Sequence, residues 1–241
     1  MARGQPDYGM YAPTRVMAGM SDMAEAVVRL NSIDIFDRFG RVAYLDDFEG
    51  TVLKWDTVLV AGGTAILDST DPKSGSQDAL LSLANAAGSA SSIYKYFLPL
   101  LSNRIGSEIS FVRPDKNTYF HIVVALYTGA RLRIGEIRID FNAGDLAYIN
   151  TGGLPVNFAT GLNLAIANFI HHPCKLVVDF DTIRYVRFLY GGVVYDLSAH
   201  ALWDVGNLGA PNVYAGFHLR PRVQAVSSIY LDDFILTQDE P

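Results

Sequence analysis

The sequence predicts an all-β fold, an antiparallel two-sheet sandwich with a short arm and helix in front of it. Three observations carry that expectation. From Arg41 onward apolar residues recur with period two, turn residues arrive at the spacing of a sandwich or barrel, and no strand alternates with a helix-length pattern. Thirteen segments read as strands: 42–48, 52–60, 78–84, 92–97, 105–112, 120–127, 132–141, 146–150, 174–180, 184–190, 193–197, 213–220 and 228–236. That is too many for one sheet, and two stacked sheets bury alternating sets such as Leu176/Val178/Phe180 and Ile137/Ile139/Phe141. Lys175, Asp179, Arg138 and Asp140 then face the other way. Thr128-Gly129-Ala130, Asn142-Ala143-Gly144-Asp145 and Gly191-Gly192 tolerate positive φ and join neighbours as hairpins. Without βαβ alternation, nucleotide-binding folds are disfavoured, and Gly62-Gly63 is a turn, not a phosphate loop.

Residues 1–40 differ from the rest and read as an arm, with 41–241 as the sandwich domain. Within the arm, 21–30 has one helical pattern. Ser21 is placed to cap it, Asp22 and Glu25 put negative charge in its first turn, and Met23, Val27 and Leu30 form its apolar stripe. A helix this short is marginal alone, so the stripe must pack on the main domain or on another subunit. Tyr8 and Tyr11 extend the same candidate assembly surface.

Composition removes several classes. The chain has 241 residues, 50% hydrophobic and 18% charged, with a net charge of −6 and no basic stripe, which argues against nucleic acid as a partner. A single cysteine, Cys174, excludes an internal disulfide framework, and its alternation with Leu176 and Val178 makes it a core residue. No segment has the apolar length to span a bilayer, and the first ten residues lack the pattern of a secretory signal.

The tetrapeptide Leu-Asp-Asp-Phe occurs twice, at 45–48 in the first strand and at 231–234 in the last. Two copies so far apart are no repeat array; they read as paired terminal strands of a jelly roll, whose pairing closes the sandwich and covers edge backbone. Around them the chain resembles carbohydrate-binding modules and laminin-G, concanavalin A-like jelly rolls. The likeness runs from Asp47-Phe48-Glu49-Gly50 and Trp55, through Ser74-Gly75-Ser76-Gln77-Asp78-Ala79-Leu80, to Ile229-Tyr230-Leu231-Asp232-Asp233-Phe234. In the middle, His172-Pro173-Cys174-Lys175-Leu176-Val177-Val178-Asp179-Phe180 followed by Tyr190-Gly191-Gly192-Val193 looks like a strand pair of that superfamily. It covers roughly 42–238; the arm lies outside it and is similar to those of virion proteins.

Glycoside hydrolysis needs two carboxylates across a cleft. Glu136 and Asp140 share a strand face, but Arg138 lies between them, and a solvated charged face is the simpler reading. His171 and His172 want a third donor to hold a transition metal, and His121, His200 and His218 are scattered along the chain. Calcium suits the acids of the two terminal strands better. The resemblance implies one structural calcium ion near Glu49 and Asp232, with Asp47 as a further oxygen donor. A glycan would need exposed rings beside polar groups, for which Trp203, in the loop-like stretch 198–211, and Tyr127, Tyr148 and Tyr190 are the candidates. No catalytic residue is singled out. The leading expectation is a non-catalytic assembly protein, a jelly-roll module displayed on a phage-like virion or similar particle, homo-oligomeric through its arm. A carbohydrate-binding module is the alternative and a glycoside hydrolase the third.

Overall fold

A computed structural model describes residues 40–112, 116–162, 170–207 and 209–241. The arm, with Tyr8, Tyr11, Met23, Val27 and Leu30, lies outside the described residues. The described part holds sixteen strands, every pairing between them antiparallel. In chain order they are β1 (Arg41–Asp46), β2 (Asp56–Val60), β3 (Thr64–Asp68), β4 (Asp78–Leu83), β5 (Ala90–Phe97), β6 (Arg104–Val112), β7 (Thr118–Tyr127) and β8 (Arg131–Asp140). There follow β9 (Asp145–Ile149), β10 (Pro155–Ala159), β11 (His171–Asp179), β12 (Arg184–Tyr190), β13 (Val193–Asp196), β14 (Trp203–Gly206), β15 (Asn212–Pro221) and β16 (Ser227–Gln238).

They form two sheets of eight. The first runs β13-β12-β11-β6-β16-β4-β3 with β1 also on β16, and the second runs β10-β9-β8-β7-β15-β5-β2 with β14 also on β8. The terminal strands do pair, with Leu45 opposite Ile235 and Asp46 opposite Phe234. β4 and β1 share one side of β16 in succession, and the register of β16 against β6 shifts between Asp232 and Ile235, where one neighbour gives way to the next. Three strands beyond the thirteen expected are β3, β10 and β14, and the strand expected over 52–60 begins only at Asp56. Trp55 turns inward just before it, 5% exposed, and brings its ring within 4.8 Å of Phe234 and 5.6 Å of Phe217.

The doubled tetrapeptide places an acid and a ring in the interior each time. Asp46 is buried and accepts from Phe48 N at 3.1 Å, Trp55 Nε1 at 3.2 Å and Tyr44 Oη at 3.0 Å. Asp232 is buried in the second copy and accepts from the backbone of Lys73 at 2.8 Å and Ser74 at 3.0 Å. Phe48 and Phe234 both enter the core. Each carboxylate is thereby satisfied by directed donors, the condition for burying one at all. Cys174 is buried in the same core.

Candidate functional site

The outer face of the second sheet carries an open groove of about 410 Å³. Alternation along its strands decides what reaches it. On β15, Val213, Ala215, Phe217 and Leu219 go into the core, which sends Tyr214, Gly216, His218 and Arg220 outward. The adjoining strands present Ser92, Tyr94 and Tyr96 on β5, Val123, Ala125 and Tyr127 on β7, and Leu132, Ile134 and Glu136 on β8. Register fixes their neighbours: Tyr96 lies opposite Tyr214, Tyr94 opposite Gly216, and Ala125 opposite Tyr214 on the other side.

Four phenols form one wall. Tyr94 stacks on Tyr214 with centroids 5.5 Å apart, Tyr96 meets Tyr214 edge-on at 5.5 Å, and Tyr127 meets Tyr96 at 6.2 Å. Tyr96 is 49% exposed, so a ring in this cluster is open to solvent. Gly216 allows the arrangement: a Cβ there would come within 2.5 Å of Tyr214 Oη, so a side chain would push the phenol off its strand. Tyr214 Oη reaches along β15 to His218 Nε2 at 3.3 Å.

Beyond the phenols the floor becomes ionisable. His121 on β7 and His218 on β15 are direct cross-strand partners, and Arg138 on β8 lies opposite His121. Glu136 Oε1 is 2.6 Å from His121 Nδ1. Burial pushes the Glu136 carboxyl up, but the His121 hydrogen bond and charge, with His218 and Arg220 nearby, outweigh it and leave the group below its ordinary value. Burial brings the His218 imidazole down to about 4, so it is neutral at pH 7. Burial also raises Tyr214, with the neighbouring tyrosines adding to it, so its phenol stays protonated. The Arg138 guanidinium sits 4.9 Å over the Tyr119 ring, and Arg220, opposite Tyr119, extends the cationic end.

The backbone under Glu136 is held from the other sheet. β14 pairs with β8 up to Ile134 and β9 from Ile137 onward, which leaves a gap at Gly135 and Glu136. The Tyr185 hydroxyl of β12 fills it, accepting from Glu136 N at 3.0 Å and lying 2.8 Å from the Ile149 carbonyl and 3.1 Å from that of Glu136. Tyr185 is fully buried. Tyr185→Phe strands these polar groups and is expected to cost about 1–3 kcal/mol, read as a lower urea midpoint at unchanged slope.

The residues singled out in the sequence go to different places. Tyr127 lines the groove, and Trp203, as cross-strand partner of Ile134, shares the outer face, its ring covering Gly153. Trp203 is a strand residue, half-buried, where a loop was expected. Tyr190 is a correction: it is 8% exposed, packed in the core with its hydroxyl 3.0 Å from His172 Nδ1, because its face of β12 points between the sheets. Tyr148 is likewise buried, stacked on His200 at 4.2 Å beside a second pocket of about 510 Å³ at the ends of β10 and β13. His121 and His218, expected to be scattered, are neighbours. Glu136 and Asp140 are not a pair, since Asp140 accepts from Asn142 N at 2.9 Å and Ala143 N at 3.1 Å at the turn after β8.

The three acids assigned to calcium do not fit a cage. Asp47 accepts from Glu49 N at 3.2 Å, while Glu49 accepts from Ser76 N at 2.6 Å, Ser76 Oγ at 2.7 Å and Gln77 N at 2.8 Å. Glu49, with Asp232 on Lys73 and Ser74, clamps the 73–77 loop, while Asp47 serves the backbone of its own turn. Burial, reinforced by Asp233, pushes Asp232 up to about 7, which favours its neutral form. Among the described residues no group of three or more His, Cys, Asp or Glu side chains is placed to hold a metal, and no helix among them is long and apolar enough to cross a membrane.

No family model and no curated protein matches this chain. Solved structures do. An endo-β-1,4-glucuronan lyase from the fungus Trichoderma reesei superposes with a TM-score of 0.57 at 13% identity, covering 82% of this chain and 95% of its own. A protein of unknown function with a galectin-like fold from Bacillus subtilis gives 0.53 at 13%, over 83% and 97%. An endo-1,3-β-glucanase from Streptomyces sioyaensis gives 0.51 at 12%, over 83% and 96%. The chain therefore has the galectin-like, concanavalin A-like jelly-roll fold. Two of these three are enzymes by name, which corrects the expectation of a non-catalytic protein: this architecture houses glycan chemistry, and the lack of a two-carboxylate signature is no ground for excluding it.

Proposed function

We propose that this jelly roll recognises a glycan in the tyrosine-lined groove of its second sheet. The observation that carries the reading is the convergence of Tyr94, Tyr96, Tyr127 and Tyr214 from three adjacent strands beside the polar floor of Glu136, His218 and Arg220. Phenol rings offer flat faces to pyranose C–H groups, and the ionisable floor offers directional partners to hydroxyls. The fold shared with a lyase and a glucanase supports the same reading. Titration calorimetry of the full chain against neutral and acidic polysaccharides tests it. At least one class should bind, and Tyr96→Ala or Tyr127→Ala should weaken binding about tenfold each, the equivalent of one ring contact. If no polysaccharide binds, or both variants bind like the parent, the reading is wrong.

A further inference from the structure

Resting on that reading, we infer that the groove cleaves its ligand by β-elimination and that the ligand is a uronate-containing polysaccharide, with His121 as base, Tyr214 as acid and Arg220 facing the uronate carboxylate. Hydrolysis and β-elimination both break glycosidic bonds, and the groove has the parts of the second. Hydrolysis calls for two carboxylates about 5–9.5 Å apart. Glu136 is the one carboxylate in the lining and is already engaged by His121. Asp140 lies four residues further along the strand, about 13 Å at roughly 3.3 Å per residue. Asp56 on β2 is four strands away across the sheet, about 19 Å at roughly 4.8 Å per strand.

Elimination requires instead a base for the proton α to a carboxylate, an acid for the departing oxygen, and a cation for the charge that develops on the carboxylate. Tyr214 and Arg220 line the groove, and His121 stands beside it on the same outer face, opposite His218 and hydrogen-bonded to the lining residue Glu136. Glu136 grips His121 Nδ1 and orients the ring; in the neutral imidazole with its proton on Nδ1, Nε2 is the nitrogen that takes a proton. Across the strand pair, His218 Nε2 holds Tyr214 Oη, and Gly216 gives that phenol room to lean there. Arg220 stands two residues past His218 on the same face and lines the groove.

In the step itself His121 Nε2 takes the C5 proton. The electron pair of the C5–H bond forms the C4=C5 double bond, the bond from C4 to the glycosidic oxygen breaks, and that oxygen leaves with the Tyr214 proton. Transfer of a proton from His121 to the phenolate through solvent restores both groups. No oxidant, reductant or water is consumed. Glu136 and His218 are positioning residues for His121 and Tyr214. A neutral glycan has no acidic C5 proton and would bind without reacting.

The test incubates the full chain with polyglucuronate, alginate and polygalacturonate, with laminarin as a neutral control. Ultraviolet absorbance of the conjugated unsaturated uronate is followed, and binding is measured in parallel. At least one uronate polymer should yield the absorbing product and laminarin should not. His121→Gln and Tyr214→Phe should each lower the rate at least about 100-fold while the polymer still binds. Glu136→Gln should lower the rate and shift its pH profile, which a purely structural role would not do. A uronate polymer that binds without giving product overturns the elimination and leaves glycan recognition standing. Reducing ends released from laminarin without the double bond would show hydrolysis and also overturn it. Binding of no polymer at all removes the recognition on which it rests.

Discussion

Phe234→Ala is expected to lower the unfolding free energy by about 3–5 kcal/mol, the cost of emptying a fully packed aromatic site. Phe234 has no exposed surface, and its ring meets Trp55 at 4.8 Å, Phe217 at 5.6 Å and Tyr44 at 6.2 Å. Those partners come from β1, from the chain just before β2 and from β15, so the ring joins the terminal strand pair to the second sheet. The loss should appear as a lower urea midpoint with the slope unchanged. A loss under about 1 kcal/mol would mean that the terminal strands do not close the core in this way.

Lys175→Met is expected to destabilise by a similar amount, about 3–5 kcal/mol, because it removes the cation from between two buried carboxylates. Lys175 Nζ lies 2.6 Å from Glu240 Oε1 and 3.4 Å from Glu108 Oε2, and all three side chains are buried. Arg187 holds the other Glu240 oxygen at 2.8 Å and the Pro241 carbonyl at 2.7 Å, which fastens the last residues to the first sheet. The double variant Lys175→Met/Glu108→Leu should recover part of the loss, since one buried negative charge leaves with the cation and Glu240 keeps Arg187. Equal loss in the single and double variants, measured by urea unfolding, would contradict a charge-pair origin.

Strands buried on one face were legible because period two and inward apolar sets coincide, as in β8 with Ile137 and Ile139 or β15 with Phe217 and Leu219. The three strands that went unread are short and lie at or near the edges. β3 and β10 have mixed, largely exposed faces, and β14 has four residues, so no alternation marks them. The doubled Leu-Asp-Asp-Phe pointed to the pairing of the ends, and β1 on β16 is that pairing. It did not reveal the work of the acids, since a carboxylate that clamps a loop and one that waits for calcium look alike in sequence. Lys175 shows a second limit. Alternation turns it away from the hydrophobic core, yet it is fully buried, because partners distant in sequence, Glu108 and Glu240, meet it on that face.

The groove was the least legible feature. Tyr94 and Tyr96, and likewise Tyr214, Gly216, His218 and Arg220, already alternate along their strands, so the sequence marks each set as sharing a face. What it does not state is that β5, β15 and β7 are consecutive in one sheet. That order alone turns dispersed histidines and tyrosines into neighbours, and it is set by long-range pairing that no local pattern encodes.

The most direct test of the glycan-binding groove is a crystal structure of the protein with an oligosaccharide taken from whichever polymer binds. Sugar rings should lie over Tyr96 and Tyr214, crossing β5, β15 and β7 toward His121 and Arg220. Sugar bound in the pocket beside Tyr148 and His200, or against Trp203 alone with the tyrosine wall empty, would contradict it.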